Sequence, residues 1–217
     1  MRALKRLRLP RAVKLAGGLF LVAGLTLGGY AGYLQLTGNF HTVIAGQLYR
    51  SAQPSPSQLE RYIRENGIKT VINLRGNSGY AKWWSEEVAL SEQLGVEHVD
   101  FPMSASKILT AEKADRLVAI MRDAPKPILI HCLSGADRTG LASVLYSQQI
   151  ANVTEDVAER QLSFAFGHVG IPSLSSAYAM DRSWSNFEKR HGLDKTQQAL
   201  PVRDAQLESD PVDGGAG

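Results

Sequence analysis

The hydrophobic pattern divides the chain into one unbroken apolar stretch near its start and a longer region where short apolar runs alternate with amphipathic ones. No charged residue occurs from Leu15 to Leu36. As a helix this stretch spans about 33 Å, enough for roughly 30 Å of bilayer hydrocarbon. It reads as a membrane span over residues 15–36. A cleaved signal peptide is the alternative, given the basic start and the small residues Gly29 and Ala31 before Gly32. Tyr30 and Tyr33 fall where interfacial aromatics sit.

Beyond residue 40 the pattern predicts alternating strands and helices. Ser55-Pro56-Ser57-Gln58 supplies an N-cap serine, a proline at the first helical position and a glutamine three residues after the cap; Leu59, Tyr62 and Ile63 form an apolar face, and Asn66-Gly67 ends the helix. Lys69–Leu74 is a β-branched strand opening into the polar turn Arg75–Gly79. A second helix runs through Trp84, Val88, Leu90 and Leu94, followed by a strand over Val96–Phe101. A third starts after Thr110, with Leu117, Val118 and Met121 on one side, and leads into the strand Ile128–Ile130. Helical patterns then cover 138–150, 154–166 and 174–190. This order predicts an α/β fold with a mostly parallel central sheet flanked by helices, occupying residues 40–190, and residues 193–217 read as a disordered polar tail.

The charge balance alters the picture at one end only. Of 24 Lys and Arg residues, six (Arg2, Lys5, Arg6, Arg8, Arg11, Lys14) lie in residues 1–14, which hold no acid; the remaining 18 face 21 Asp and Glu. The net charge of +3 therefore belongs to a basic segment, and no affinity for nucleic acid follows. That segment would stay cytoplasmic, putting the following domain across the membrane, in a bacterial cell the periplasm. With 44% hydrophobic and 21% charged residues the chain is neither disordered nor collagen-like. Its single cysteine, Cys132, excludes an intramolecular disulfide and a multi-cysteine metal site.

Chemistry concentrates where the strand Ile128–Ile130 runs into His131-Cys132-Leu133-Ser134-Gly135-Ala136-Asp137-Arg138-Thr139-Gly140 and then into an apolar helix. A buried strand, a small-residue loop and a helix start form an anion cradle: the N–H groups of Leu133, Ser134, Gly135, Ala136, Asp137 and Arg138 converge, and the helix N-terminus adds positive potential. Such surroundings favour a nucleophilic thiolate, and the planar fork of Arg138 suits two phosphate oxygens.

The string HCxxGxxRTG after a strand resembles the signature of the cysteine-dependent protein tyrosine phosphatase superfamily. Gly46–Ser51 and Val71–Arg75 extend the likeness to the atypical dual-specificity phosphatases of bacterial envelopes and fungi, over roughly residues 40–190. The resemblance implies a phosphocysteine mechanism without metal or cofactor, in which Cys132 attacks phosphorus, an acid protonates the leaving oxygen and water hydrolyses the intermediate. It further implies that Thr139 stabilises the thiolate as leaving group and that His131 holds the loop and tunes the thiol. The substrate would be a phosphorylated protein or a phosphorylated lipid or inositol headgroup; a phosphate-binding scaffold without turnover is the alternative of another class.

The family's acid usually sits on the loop after the strand Val96–Phe101, yet Met103–Thr110 contains no carboxylate. Asp100, just before that loop, and Asp137, where the myotubularin lipid phosphatases also carry Asp, are the two candidates, with Glu112 behind them. Arg75 and Lys107, if both face the mouth, would favour a substrate with a second anionic group. Trp83-Trp84 offers an aromatic rim or core packing, and His168 a helix C-cap.

Overall fold

The computed structural model describes residues 10–193; most of the basic segment and the tail from residue 194 lie outside them. After α1 (Arg11–Leu36), the elements are β1 (His41–Ile44), β2 (Leu48–Ser51), α2 (Pro56–Asn66), β3 (Thr70–Asn73), α3 (Lys82–Gln93), β4 (Glu97–Asp100), α4 (Ala111–Asp123), β5 (Ile128–His131), α5 (Asp137–Gln149), α6 (Glu155–Ala158) and α7 (Tyr178–His191). Within α1, Val13–Leu36 has a mean hydropathy of 1.5 and is long and apolar enough to cross a membrane.

The five strands lie in the order β1-β2-β5-β3-β4, with β1–β2 antiparallel and every other pair parallel. Central β3 and β5 are buried at every position, as strands covered on both faces must be. Their alternating side chains divide between two layers. Leu48, Ile72, Ile128 and Ile130 pack with Leu117, Met121, Leu141, Leu145 and Trp184 of α4, α5 and α7. Val71 and Leu129 pack with Leu59, Tyr62 and Ile63 of α2. The C-terminal ends of β2, β3, β4 and β5 therefore open onto one edge, where parallel α/β sheets bind ligands.

The caps on α2 are those its sequence specifies: Ser55 accepts from the Gln58 amide, Gln58 reciprocates, and Gly67 closes the helix with φ 63°. Other elements differ from expectation. The β1–β2 hairpin escapes the strand pattern because β1 is a half-exposed edge strand entering a turn at Gly46, φ 71°. Residues 154–166 do not form one helix: α6 gives way to single 3₁₀ turns at Glu159–Gln161 and Phe164–Phe166. The last helix begins at Tyr178, four residues later than expected. On α3 the buried residues are Glu87 and Ser91, whereas Val88, Leu90 and Leu94 are half-buried, because the face turned inward carries a polar network.

Replacing Ser55 by Ala removes the reciprocal cap and is expected to cost about 1 kcal/mol, lowering Tm by about 2–4 °C in thermal unfolding without changing activity per folded molecule.

Candidate active site

The loop His131–Arg138 leaves the end of β5 and becomes α5. Cys132 is buried at 1% exposure. Gly135 has φ 73°, and a Cβ there would stand 2.6 Å from the Ala52 nitrogen and 2.7 Å from the Ser51 carbonyl carbon. Both facts demand glycine: the backbone is left-handed and the end of β2 presses against it. Gly140 is likewise filled from outside, since a Cβ there would meet the Gln161 carbonyl at 3.0 Å.

Outward carbonyls define the loop. Leu133 O accepts from the Gln53 amide at 3.2 Å, Ser134 O from Asn39 Nδ2 at 3.0 Å, and Gly135 O from Arg50 Nη2 at 2.7 Å, which also reaches Ala136 O at 3.4 Å. In a planar trans peptide the C=O and N–H point in opposite directions. Carbonyls held on one side therefore turn the following N–H groups to the other, where the Ala136 N–H meets Ser134 Oγ at 3.4 Å. Arg50 is fully buried, donates to Gln161 O at 2.5 Å and Gln161 Oε1 at 3.0 Å, and lies 4.0 Å from the Phe166 ring centroid. Burial pulls its pKa down to about 9, with the negative charge Cys132 can carry opposing the shift, so it remains cationic at neutral pH.

Arg138 makes only long contacts, Nη1 to Leu74 O at 3.5 Å and to Met103 O at 3.4 Å, and its buried Nε has no hydrogen-bond partner among the described residues. The same is true of Thr139 Oγ1, beside it on the first turn of α5. Two polar atoms buried without partners on the turn that follows the cysteine loop carry a desolvation cost that an anionic ligand would offset.

Behind the loop lies a network the sequence pattern did not reveal. Glu87 Oε1 pairs with His131 Nε2 at 3.0 Å and His98 Nε2 at 2.8 Å, and Oε2 accepts from Gln53 Nε2 at 2.6 Å. A carboxylate only accepts, so both imidazoles carry a proton on Nε2. Burial would raise the Glu87 pKa, but the hydrogen bonds from His131 and His98 outweigh it and hold the group at about 2. Gln53 Oε1 in turn accepts from Arg75 Nη1 at 2.9 Å, and the Arg75 guanidinium stacks on Trp83 at 3.7 Å. Burial and the neighbouring charge of Arg138 lower the Arg75 pKa, while Glu87 and Cys132 oppose the shift, so Arg75 belongs to the electrostatic surroundings of the loop.

The three acid candidates have different settings. Asp137 Oδ1 pairs with His168 Nδ1 at 2.7 Å, and His168 Nε2 with Asp181 Oδ2 at 3.0 Å; Asp137 Oδ2 has no hydrogen-bond partner among the described residues. His168 is thus a buried bridge between two carboxylates rather than a helix cap. Its burial works against charge, but the bond to Asp137 and the charge of Asp181 prevail and raise its pKa. Asp100 is held at both oxygens, by Trp84 Nε1 at 2.9 Å and Asn73 Nδ2 at 2.8 Å. Asn73 also shapes the turn of Arg75, accepting from the Arg75 amide at 2.9 Å. Glu112 is fully exposed at the start of α4, where a backbone amide and the Thr110 hydroxyl lower its pKa. Lys107 is exposed on the loop before α4.

Carboxylate oxygens of Glu155, Glu159 and Glu188 come within 4.8 Å of one another. Burial and the neighbouring carboxylates push Glu188 up to about 8, so the cluster retains a proton at neutral pH. Residues missed from sequence are Asn39, Arg50, Gln53, Glu87 and Asp181. Of these only Arg50 stood within a run that carries a signal, Gly46–Ser51, where the family likeness extends.

Because the folded Glu87 pKa is depressed, its stabilisation is present above the unfolded value of 4.5 and is lost as pH falls toward about 2. Denaturant unfolding across that window should reveal a loss on the order of 3 kcal/mol. Glu87→Gln should be less stable than the parent at neutral pH and lack that acid limb.

The family described as "DSP-PTPase phosphatase fused to NAD+ Kinase" matches residues 39–178. A search of curated proteins finds no match. Among solved structures, a putative phosphatase (DUF442) from Shewanella putrefaciens CN-32 superposes with a TM-score of 0.54 at 19% identity, covering 72% of this chain and 94% of its own. PTPMT1 gives 0.52 at 14% identity, with 71% and 99% covered. P. aeruginosa TpbA, as a cysteine-to-serine variant in complex with phosphotyrosine, gives 0.50 at 22% identity, with 70% and 91% covered. These likenesses concern the fold, and that fold is the one described above. The family match extends from Asn39 through the whole cysteine–arginine loop to the start of α7, and the chain belongs to the DSP-PTPase phosphatases of the cysteine-dependent tyrosine and dual-specificity superfamily.

Proposed function

We propose that the chain hydrolyses phosphate monoesters through Cys132. The observation that carries this is the pairing of a buried thiol with unpartnered Arg138 Nε and Thr139 Oγ1 at the N-terminus of a thirteen-residue helix. Cys132 Sγ attacks phosphorus while Arg138 and the loop amides hold the non-bridging oxygens. The S–P bond forms, the P–O bond to the leaving group breaks, and the leaving oxygen takes its electron pair and a proton from Asp137. Water then attacks the phosphocysteine and gives a proton to Asp137. The S–P bond breaks, and Thr139 donates a hydrogen bond to the departing thiolate.

Asp137 is preferred as the acid because Oδ2 is free of hydrogen bonds among the described residues, whereas protonating a leaving oxygen from Asp100 would require breaking its bonds to Trp84 or Asn73. His168, linked to half-exposed Asp181, offers a proton route between Asp137 and solvent. The primary reading of the substrate is a phosphorylated protein; TpbA, a fold neighbour, is known bound to phosphotyrosine. A phosphorylated lipid headgroup is the second reading, favoured by the contact of α1 with the loop region, where Tyr30 OH donates to Ala165 O at 2.7 Å. In either case α1 is the anchor, the basic N-terminus is cytoplasmic and the domain stands across the membrane, periplasmic in a bacterial cell.

Cys132→Ser should abolish hydrolysis of 4-nitrophenyl phosphate, and Arg138→Lys should nearly do so despite keeping the charge. Asp137→Asn should lose about 10²-fold or more in kcat/KM on phosphoserine peptides and less than about tenfold on 4-nitrophenyl phosphate, whose leaving group barely needs a proton; Asp100→Asn should show no such difference. A uniform loss across leaving groups would make Asp137 a support for Arg138 instead. Protease added to intact spheroplasts should digest the domain and spare the N-terminus. A protected domain reverses the topology, and a mature chain starting near Gly32 makes the apolar stretch a cleaved signal.

A further inference from the structure

A cradle built from backbone amides works only if each peptide keeps its orientation, and the weakest peptide of this loop is the one joining Ser134 to Gly135. Glycine has no Cβ to resist rotation, so the Ser134–Gly135 peptide can flip at small steric cost, carrying the Gly135 N–H out of the cradle and its carbonyl in. The flipped state would aim a carbonyl dipole at a bound phosphate. Something outside the loop must hold Ser134 O, and the donors come from the exit of α1. Asn39 Nδ2 donates to it at 3.0 Å and Gln35 Nε2 at 3.5 Å.

Asn39 is built for that task. It is 1% exposed and sits at φ 46° directly after Gly38 at φ 74°, a left-handed pair that reverses the chain beneath the loop. Asparagine is one of the few residues with a Cβ that tolerates this conformation. The second Nδ2 hydrogen goes to Phe166 O at 2.9 Å, and Oδ1 pairs with His41 Nε2 at 3.0 Å, so the amide cannot turn over without losing all three partners. Phe166 also lays its ring against the guanidinium of Arg50, which holds the next carbonyl, Gly135 O. The two clamps are therefore joined. On the other side, Leu34 is 3% exposed and packs against Gly167, and Tyr30 donates to Ala165 O while stacking on Phe164 at 5.5 Å.

We propose that Asn39, supported by Gln35, is a positioning residue that locks the Ser134–Gly135 peptide with its N–H toward the phosphate, making the segment that leaves the apolar helix a working part of the cradle. This rests on the reading of Cys132–Arg138 as a phosphate-binding loop. The test uses the full chain in detergent, comparing the parent with Asn39→Gly, which keeps the backbone conformation and removes the amide, and Asn39→Asp, which keeps shape but replaces the donor by an acceptor. Vanadate affinity is measured by calorimetry, which is readable whether or not the chain turns over substrate, alongside kcat and KM for 4-nitrophenyl phosphate and the Tm.

Both variants should bind vanadate at least tenfold more weakly and lose at least tenfold in kcat at saturating substrate, while remaining folded at the assay temperature. A folded variant that keeps vanadate affinity and kcat within twofold overturns the lock, since a merely structural Asn39 would lower Tm alone. If neither variant folds, Gln35→Ala supplies the decision: a two- to fivefold loss of vanadate affinity supports the lock and an unchanged affinity overturns it. A parent chain that binds vanadate but hydrolyses nothing would instead defeat the catalytic reading, leaving the lock to stand or fall on the binding data.

Discussion

Everything at this site depends on making consecutive peptide groups turn their N–H ends the same way at the end of β5. Parallel dipoles repel, and the carbonyls on the far side draw donors from elsewhere in the fold. The sheet order exists, in effect, to deliver those donors. Because β2 pairs with β5 in parallel, with Arg50 opposite Ile130 and Ser51 opposite His131, the arginine and the chain after β2 arrive beside the loop as it begins. Gln53 then reaches Leu133 O through its backbone, and Gly135 is pressed onto the Ser51–Ala52 peptide too closely for any side chain. A cation buried as deeply as Arg50 is tolerated because three carbonyls, a side-chain amide oxygen and an aromatic face surround its two terminal nitrogens, with Nε alone left without a partner among the described residues.

What the sequence disclosed follows from distance along the chain. The nucleophile, the arginine and the glycines of the loop fall within nine consecutive positions, Cys132 to Gly140, and announce themselves as a string. The caps of α2 are four residues with a local meaning, and the β-branched run of β3 predicts its own burial. The supports are of another kind: Glu87 meets His131 across 44 residues, Arg50 meets Gly135 across 85 and Asn39 meets Ser134 across 95. No periodicity encodes such pairs, and a buried glutamate on a helix looks in sequence like any solvent-facing one. The same holds for His168, whose position after Phe166-Gly167 suggests a helix end and whose actual partners lie on α5 and α7.

The 154–166 segment shows why a helical pattern can fail near a site. Had the helix continued, the carbonyl of Gln161 would be spent within it; instead the turn exposes that carbonyl to Arg50 and brings the backbone against Gly140 at the start of α5. Local propensity yields to the need for an acceptor at a buried cation.

The arrangement of Gln53 fixes where the Arg75 guanidinium stands. Its amide donates to a carboxylate that can only accept and accepts from a guanidinium that can only donate, so it has one orientation and no freedom to adapt. An anionic group that drew Arg75 toward itself would have to strip the guanidinium from the indole of Trp83 and leave the Gln53 oxygen without its donor, a combined cost of about 1–3 kcal/mol. Arg75 is therefore held by an amide oxygen on one side and an indole face on the other, and any displacement of it breaks both contacts at once.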